Sequence, residues 1–316
     1  MLPALASVQC RGVPARSPLT PDYIKHVNVR YHDAAASEYD SKWGIDFGPI
    51  GRQQVRGKFV KALGEWPAQP FRDALEIGSG TGYFSLNLLQ LGAIQHLVAT
   101  DISPEMLSTL SATAKRLGLA TETELTDAET LPFEEETFDL VFGHAVLHHL
   151  PDLDRALFEF NRVLRPGGVV AFCGEPSRYG DLLAVLPKCS AQLAAPLWRL
   201  AVGASARTEN GDEHGDGHEL EPQVDVHAFA PSRLGEMLRG AGFDAVRVAG
   251  EELLANVYGW AVRTLEGSAE PDEVPHRWRK LAFHGYLALQ RVDTALLEPR
   301  LPPSLFYNLV LSARKP

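Results

Sequence analysis

Cysteine is scarce in this chain of 316 residues: it occurs three times, as Cys10, Cys173 and Cys189, with no CxxC pair and no histidine at zinc spacing. A disulfide-stapled mini-protein is therefore excluded, and the thiols read as the reduced cysteines of an intracellular, cytoplasmic protein. No apolar run reaches the ~18 residues that a membrane span needs. The first residues carry Arg11 and Arg16 but also Pro3, Pro14 and Pro18, with Pro21 following. No continuous apolar stretch of signal-peptide length leads there to a cleavage site, so 1–20 is expected to be a flexible tail. Basic charge is in deficit, with 30 Lys and Arg against 40 Asp and Glu and a net charge of −10. A broad binder of phosphate backbones usually needs a basic field, so no nucleic-acid partner is expected. No internal repeat is visible.

The remaining composition is that of a globular protein with ample core, 45% hydrophobic and 22% charged. Its length suggests two domains, or one with large insertions. Residues 22–66 carry helical spacing, with Tyr31, Ala35 and Tyr39 four apart and Val55, Phe59, Val60 and Leu63 on one face; 43–50 reads as the loop between two helices. From 71 onward the period changes. Short apolar runs at 74–77, 96–100, 121–125, 138–143 and 169–173 read as strands. Helical runs at 84–91, 104–118 and 153–164 separate them, with Ser103 as an N-cap, Gly118 as a stop and a turn at 165–168. Strands alternating with helices imply βαβ units and a parallel, doubly wound sheet. Beyond Pro176 the pattern predicts helices at 180–203 and 231–240 and strands at 245–248 and 306–312. The long interval 253–305 reads as a helical insertion, covering the site or forming an association surface.

The segment that carries chemistry is Glu76-Ile77-Gly78-Ser79-Gly80-Thr81-Gly82, between a strand and a helix. A glycine-rich turn there lets a ligand approach bare backbone. Gly78, Gly80 and Gly82 form GxGxG, not the GxGxxG of nicotinamide sites, because Tyr83 stands where the last glycine would be; no phosphate-loop lysine follows. Asp101 ends the next strand, where a carboxylate can accept hydrogen bonds from two ribose hydroxyls and repels a 2′-phosphate. Glu76 is placed to hold a cationic or amino group near the turn.

These residues resemble the class I S-adenosylmethionine-dependent methyltransferases, in particular the small type-11 group. The likeness runs over roughly 70–175 through Glu76–Gly82, Asp101-Ile102-Ser103, Asp127-Ala128-Glu129 before Leu131-Pro132-Phe133, Phe138-Asp139-Leu140-Val141-Phe142, Val146-Leu147-His148-His149-Leu150 and Val163-Leu164-Arg165-Pro166-Gly167-Gly168. Residues 31–40 resemble the family's N-terminal lid helix. The resemblance implies a Rossmann-like α/β fold: a doubly wound seven-stranded sheet, mostly parallel with the last strand antiparallel, a helical N-terminal lid and a helical C-terminal insertion. The corresponding division is a tail at 1–20, a lid at 21–70, a cofactor core at 71–178, a cap at 179–230 and the rest of the core sheet at 231–316. It implies S-adenosyl-L-methionine as cofactor. Gly78, Ser79, Gly80 and Gly82, with Glu76, line its methionine and ribose; Asp101 takes the ribose hydroxyls; Ile102 and Met106 lie against the adenine. Asp127 faces the adenine amino group beside Ala128, Gly143 and His144 lie along the methionine part, and Tyr39 closes over the cofactor.

His144, nearest the expected methyl position, and Glu175, at the sheet mouth, are the acid–base candidates. His148 and His149, adjacent on a helix, would point about 100° apart and read as structural. His214 and His218 lie in the acidic, glycine-containing stretch 207–225, which reads as a solvated loop with no metal. Trp198, Tyr258, Trp260, Trp278 and Tyr286 read as core of the extra region, or as an aromatic-lined acceptor pocket. The expected activity is methylation of an oxygen, nitrogen or carbon of a small molecule, such as a natural product, a quinone-like ring or a lipid. A protein side chain as acceptor, or a non-catalytic cofactor-binding scaffold, are the alternatives. A homodimer through 253–305 is a further expectation.

Overall fold

The computed structural model describes residues 20–36, 39–40, 44–207 and 227–316. Cys10, His214, His218 and most of the acidic stretch lie outside these residues. Two helices, α1 (Pro21–Ala35) and α2 (Pro49–Leu63), precede the sheet. The chain then alternates β1 (Phe71–Ile77), α3 (Tyr83–Gln90), β2 (Ile94–Asp101), α4 (Pro104–Leu117), β3 (Glu122–Leu125), β4 (Phe138–His144), α5 (Leu153–Val163) and β5 (Leu164–Pro176). After these come α6 (Gly180–Val202), α7 (Pro231–Gly240), β6 (Asp244–Glu251), α8 (Leu254–Gly267), α9 (His276–Val292) and β7 (Asn308–Arg314). The strands form one seven-stranded sheet in the order β3-β2-β1-β4-β5-β7-β6. β7 is antiparallel to both neighbours, and the other pairs are parallel. This is the expected fold class.

Strand alternation builds two cores from one sheet. Leu75, Ile77, Val141, Val170 and Phe172 point to one face, where Leu157 and Phe160 of α5 and Leu234 and Leu238 of α7 cover them. Ala74, Leu140, Phe142 and Ala171 point to the other, against Val55 and Phe59 of α2 and Phe84 and Leu88 of α3. Phe142 and Phe172 are fully buried, each contributing about 2–3 kcal/mol of transfer free energy. Local signals set the helix ends. Ser103 caps α4 by accepting from the Met106 N–H at 3.1 Å, Pro104 occupies the first turn, and Gly118 ends the helix at φ +69°.

The expected turn at 165–168 does not interrupt the chain. β5 begins at Leu164, and its register slips opposite Phe138/Leu140, with Gly167 at φ +78° absorbing the irregularity. The last strand begins at Asn308 rather than 306. His148 and His149 sit in a short 3-10 turn, Leu147–His149, not on an α-helix.

Candidate functional site

In an open α/β sheet the ligand crevice lies beyond the carboxyl ends of the strands, where the strand order reverses. Here the reversal falls between β1 and β4. A cavity of about 740 Å³, its mouth included, opens there. Its walls are the segments that follow β1 (Gly78, Gly80), β2 (Asp101, Ile102), β3 (Thr126, Asp127, Ala128) and β4 (His144, Ala145, Val146). Lys25, Asn28 and His32 of α1, with Tyr39, close one side.

The glycine turn brings backbone to the cavity. Gly78 has φ +59°, and a Cβ there would stand 2.3 Å from Val146 Cγ2, so only glycine fits. The buried Asp101 carboxylate braces the turn: Oδ2 accepts from Gly80 N–H at 2.8 Å and Oδ1 from Ser103 N–H at 2.9 Å. A carboxylate has about four acceptor sites, so each oxygen keeps capacity toward the cavity. Burial raises its pKa, with His32 nearby acting in the opposite sense. Glu76, on the sheet face shared with Ala74, is 1% exposed and its Oε2 has no hydrogen-bond partner among the described residues. Burial, with the Asp101 charge acting in the same sense, pushes its pKa up to about 8.

Helix α1 is tied to this site by polar contacts. Lys25 Nζ lies 2.6 Å from Asp127 Oδ2 and also pairs with Glu129. Ser103 Oγ donates to Asp33 Oδ1 at 2.5 Å, and Thr81 Oγ1 to Asp40 Oδ1 at 2.6 Å.

His144 ends β4. Its ring stacks on Phe84 and meets Tyr83 edge-on, and its Nε2 is buried without a partner among the described residues. Desolvation, reinforced by the nearby Lys58 charge, pulls its pKa down to about 3, so the imidazole is neutral at physiological pH. Glu175 is not at the acceptor mouth. It is fully buried and clamps the turn after β4, accepting from the N–H groups of Val146 (3.0 Å), Leu147 (3.1 Å) and His148 (3.2 Å). It also bonds His148 Nδ1 at 2.9 Å. This explains why a carboxylate stands at the end of β5: the residue before the clamped segment, Ala145, holds φ +54°, and the clamp keeps the strained backbone in place.

Of the sequence-predicted residues, Tyr39, Gly78, Gly80, Asp101, Ile102, Asp127, Ala128 and His144 line the cavity. Glu76, Ser79, Gly82 and Gly143 stand behind its wall. A Cβ on Gly82 would meet Leu86 and Leu110 at 2.9 Å, and one on Gly143 would meet Ile77 O at 2.8 Å, so these glycines serve packing. Met106 is fully buried and absent from the wall. Sequence reasoning missed Lys25, Asn28, His32 and His149. The first three needed the docking of α1; His149 needed the 3-10 turn, which sends His148 to Glu175 and leaves His149 on the cavity, its ring 5.6 Å from that of His32. Among the described residues no cluster of side chains could hold a metal ion, and no helix is long and apolar enough to cross a membrane.

Residues 75–172 match the model of a methyltransferase domain. Over 192 residues the chain is 34% identical to the mouse mitochondrial arginine-hydroxylase NDUFAF5, covering 61% of this chain and 48% of that protein. Over 142 residues it is 36% identical to the malonyl-[acyl-carrier protein] O-methyltransferase of Methylococcus capsulatus, covering 44% and 48%. The chain thus spans about half the length of these curated relatives. Among solved structures it resembles phosphoethanolamine N-methyltransferase 2 of Haemonchus contortus, with a TM-score of 0.57 at 16% identity over 95% of this chain and 61% of that one. The strand order and the domain match converge: residues 75–172 are a methyltransferase domain, carried on the sheet topology shared with solved methyltransferases.

Proposed function

We propose that the chain transfers a methyl group from S-adenosylmethionine to an oxygen, nitrogen or carbon of a small-molecule acceptor. The observation that carries this reading is the convergence of bare glycine backbone and a buried, half-used carboxylate in one cavity at the sheet's switch point. The cofactor fits the donor set. Asp101 has acceptor capacity left for ribose hydroxyls and Asp127 beside Ala128 suits an adenine edge, while Glu76, with its unpartnered Oε2, stands behind the wall. When bound, S-adenosylmethionine supplies an electrophilic methyl on a sulfonium, so it carries the hard chemistry.

The residues then have positional work. Helix α1 and Tyr39 exclude water as the lid over the cofactor, while α2 belongs to the sheet core. Neutral His144 accepts a hydrogen bond through Nε2 from the acceptor's O–H or N–H and orients its lone pair along the C–S axis. Because its pKa lies near 3, it is a weak proton acceptor, and proton release at neutral pH falls to the acceptor or to water. Glu175 is a positioning residue, acting through the backbone beside the cavity.

The test is isothermal titration with S-adenosylmethionine, S-adenosylhomocysteine and NADH in parallel. Binding of the adenosyl compounds alone is expected; failure of both to bind would overturn the reading. The arginine-hydroxylase name of the mitochondrial relative supports a second reading, chemistry on a protein arginine. Mass spectrometry of arginine peptides after incubation distinguishes the two: a methylene gain keeps methyl transfer, and an oxygen gain replaces it.

A further inference from the structure

Two helices, α6 of the cap and α9 of the C-terminal insertion, carry stripes that are exposed among the described residues. On α6 the positions Leu186, Ser190, Leu193, Leu197 and Leu200 follow one another at alternating spacings of four and three, so they share one face. Its leucines are 74–81% exposed. Ala184, Ala191, Ala195 and Trp198 form the opposite, buried face. Ser190 Oγ donates to Leu186 O at 2.8 Å within the helix, so the stripe offers solvent no free hydroxyl donor. Neither charge nor aromatic ring interrupts the stripe. On α9 the same spacing aligns Arg277, Leu281, His284, Ala288 and Arg291, all exposed, with Lys280 alongside. α9 contains no Asp or Glu, although the chain as a whole has a net charge of −10. Arg277, Lys280 and Arg291 have no ion-pair partner among the described residues. Both helices pack on α8, and Trp198 of α6 meets Trp278 of α9 edge-on at 5.2 Å.

We propose that these two stripes, the apolar one of α6 and the basic one of α9, together bind the surface of an anionic lipid bilayer. The leucine stripe spans about 21 Å at 1.5 Å per residue, long enough to lie flat in the headgroup boundary. The α9 cations supply the attraction to anionic headgroups that fixes such a helix there. A second copy is the poorer occupant, because α9 carries no acid to answer the cations of a copy paired through this helix. The assignment is independent of which molecule is methylated.

The test is flotation of the full chain with vesicles of phosphatidylcholine alone and with added phosphatidylglycerol, at low and high salt. Partition to the anionic vesicles is expected, weakening with salt. Arg277→Gln, Lys280→Gln and Arg291→Gln should each lower it about fivefold. Leu193→Glu/Leu197→Glu should abolish it while circular dichroism and thermal melting stay unchanged, since both side chains are exposed. No partition, or equal partition to neutral vesicles, overturns the proposal. So does a dimer in sedimentation velocity that the leucine variant dissociates while the wild-type chain ignores vesicles.

Discussion

Replacing Asp101 by alanine separates binding from folding, because binding should fall steeply while stability changes little. The carboxylate accepts from Gly80 and Ser103 N–H at 2.8 and 2.9 Å, which orients it without exhausting its lone pairs. Two ribose hydroxyls donating to the remaining capacity form charge-assisted bonds, each worth about 1.5–3 kcal/mol. Losing both weakens S-adenosylmethionine by about 3 kcal/mol or more, a Kd raised about 100-fold. Stability should change little, because two effects oppose each other. Burial raises the folded pKa above its ordinary 3.8, so the unfolded chain holds the ionised form more easily and stability falls as pH rises through that range. Removing the group removes this cost, which offsets the two backbone bonds lost. Titration calorimetry with S-adenosylmethionine and S-adenosylhomocysteine measures the first effect, and urea denaturation at neutral pH the second. A Kd within about threefold of the wild type, ~0.6 kcal/mol, in a folded variant refutes the ribose assignment.

Glu76→Gln should flatten the pH dependence of stability. With a folded pKa near 8 against 4.5, wild-type stability falls as pH rises between those values, and denaturation curves across that window should show the slope lost in the variant. The His144 ring should show no titration in NMR near its ordinary 6.5, because its conjugate acid forms only near pH 3. Glu175→Leu strands three backbone N–H groups and His148, and should cost about 3–5 kcal/mol in urea denaturation. Lys58→Met leaves Glu251, 2.7 Å away and 1% exposed, facing only Lys61, and should cost about 3 kcal/mol or more by the same measurement.

The central strands were legible because each buried strand writes its two-sided burial as an apolar run, and Asp101 and the glycines because only certain residue types tolerate those positions. What escaped the sequence depends on contacts between distant segments. Lys25 became part of the site by reaching Asp127, more than one hundred residues away along the chain. Glu175 shows the same limit from the other side. Its position past a strand end marks both a substrate contact and a backbone clamp, and only the three N–H groups of the turn after β4 decide between them. His148 and His149 illustrate how local geometry redistributes roles: a 3-10 turn turns one ring to the clamp and leaves its neighbour on the cavity. The C-terminal half was the least legible for a related reason. Lys58 and Lys61 of α2 meet Glu251 of β6 and Glu298 beyond α9, so the charges that organise this end of the molecule come from three segments with no shared motif. A cofactor site built by successive strand ends leaves an ordered trace in the chain. A surface assembled from helices that arrive separately leaves only their individual amphipathic stripes.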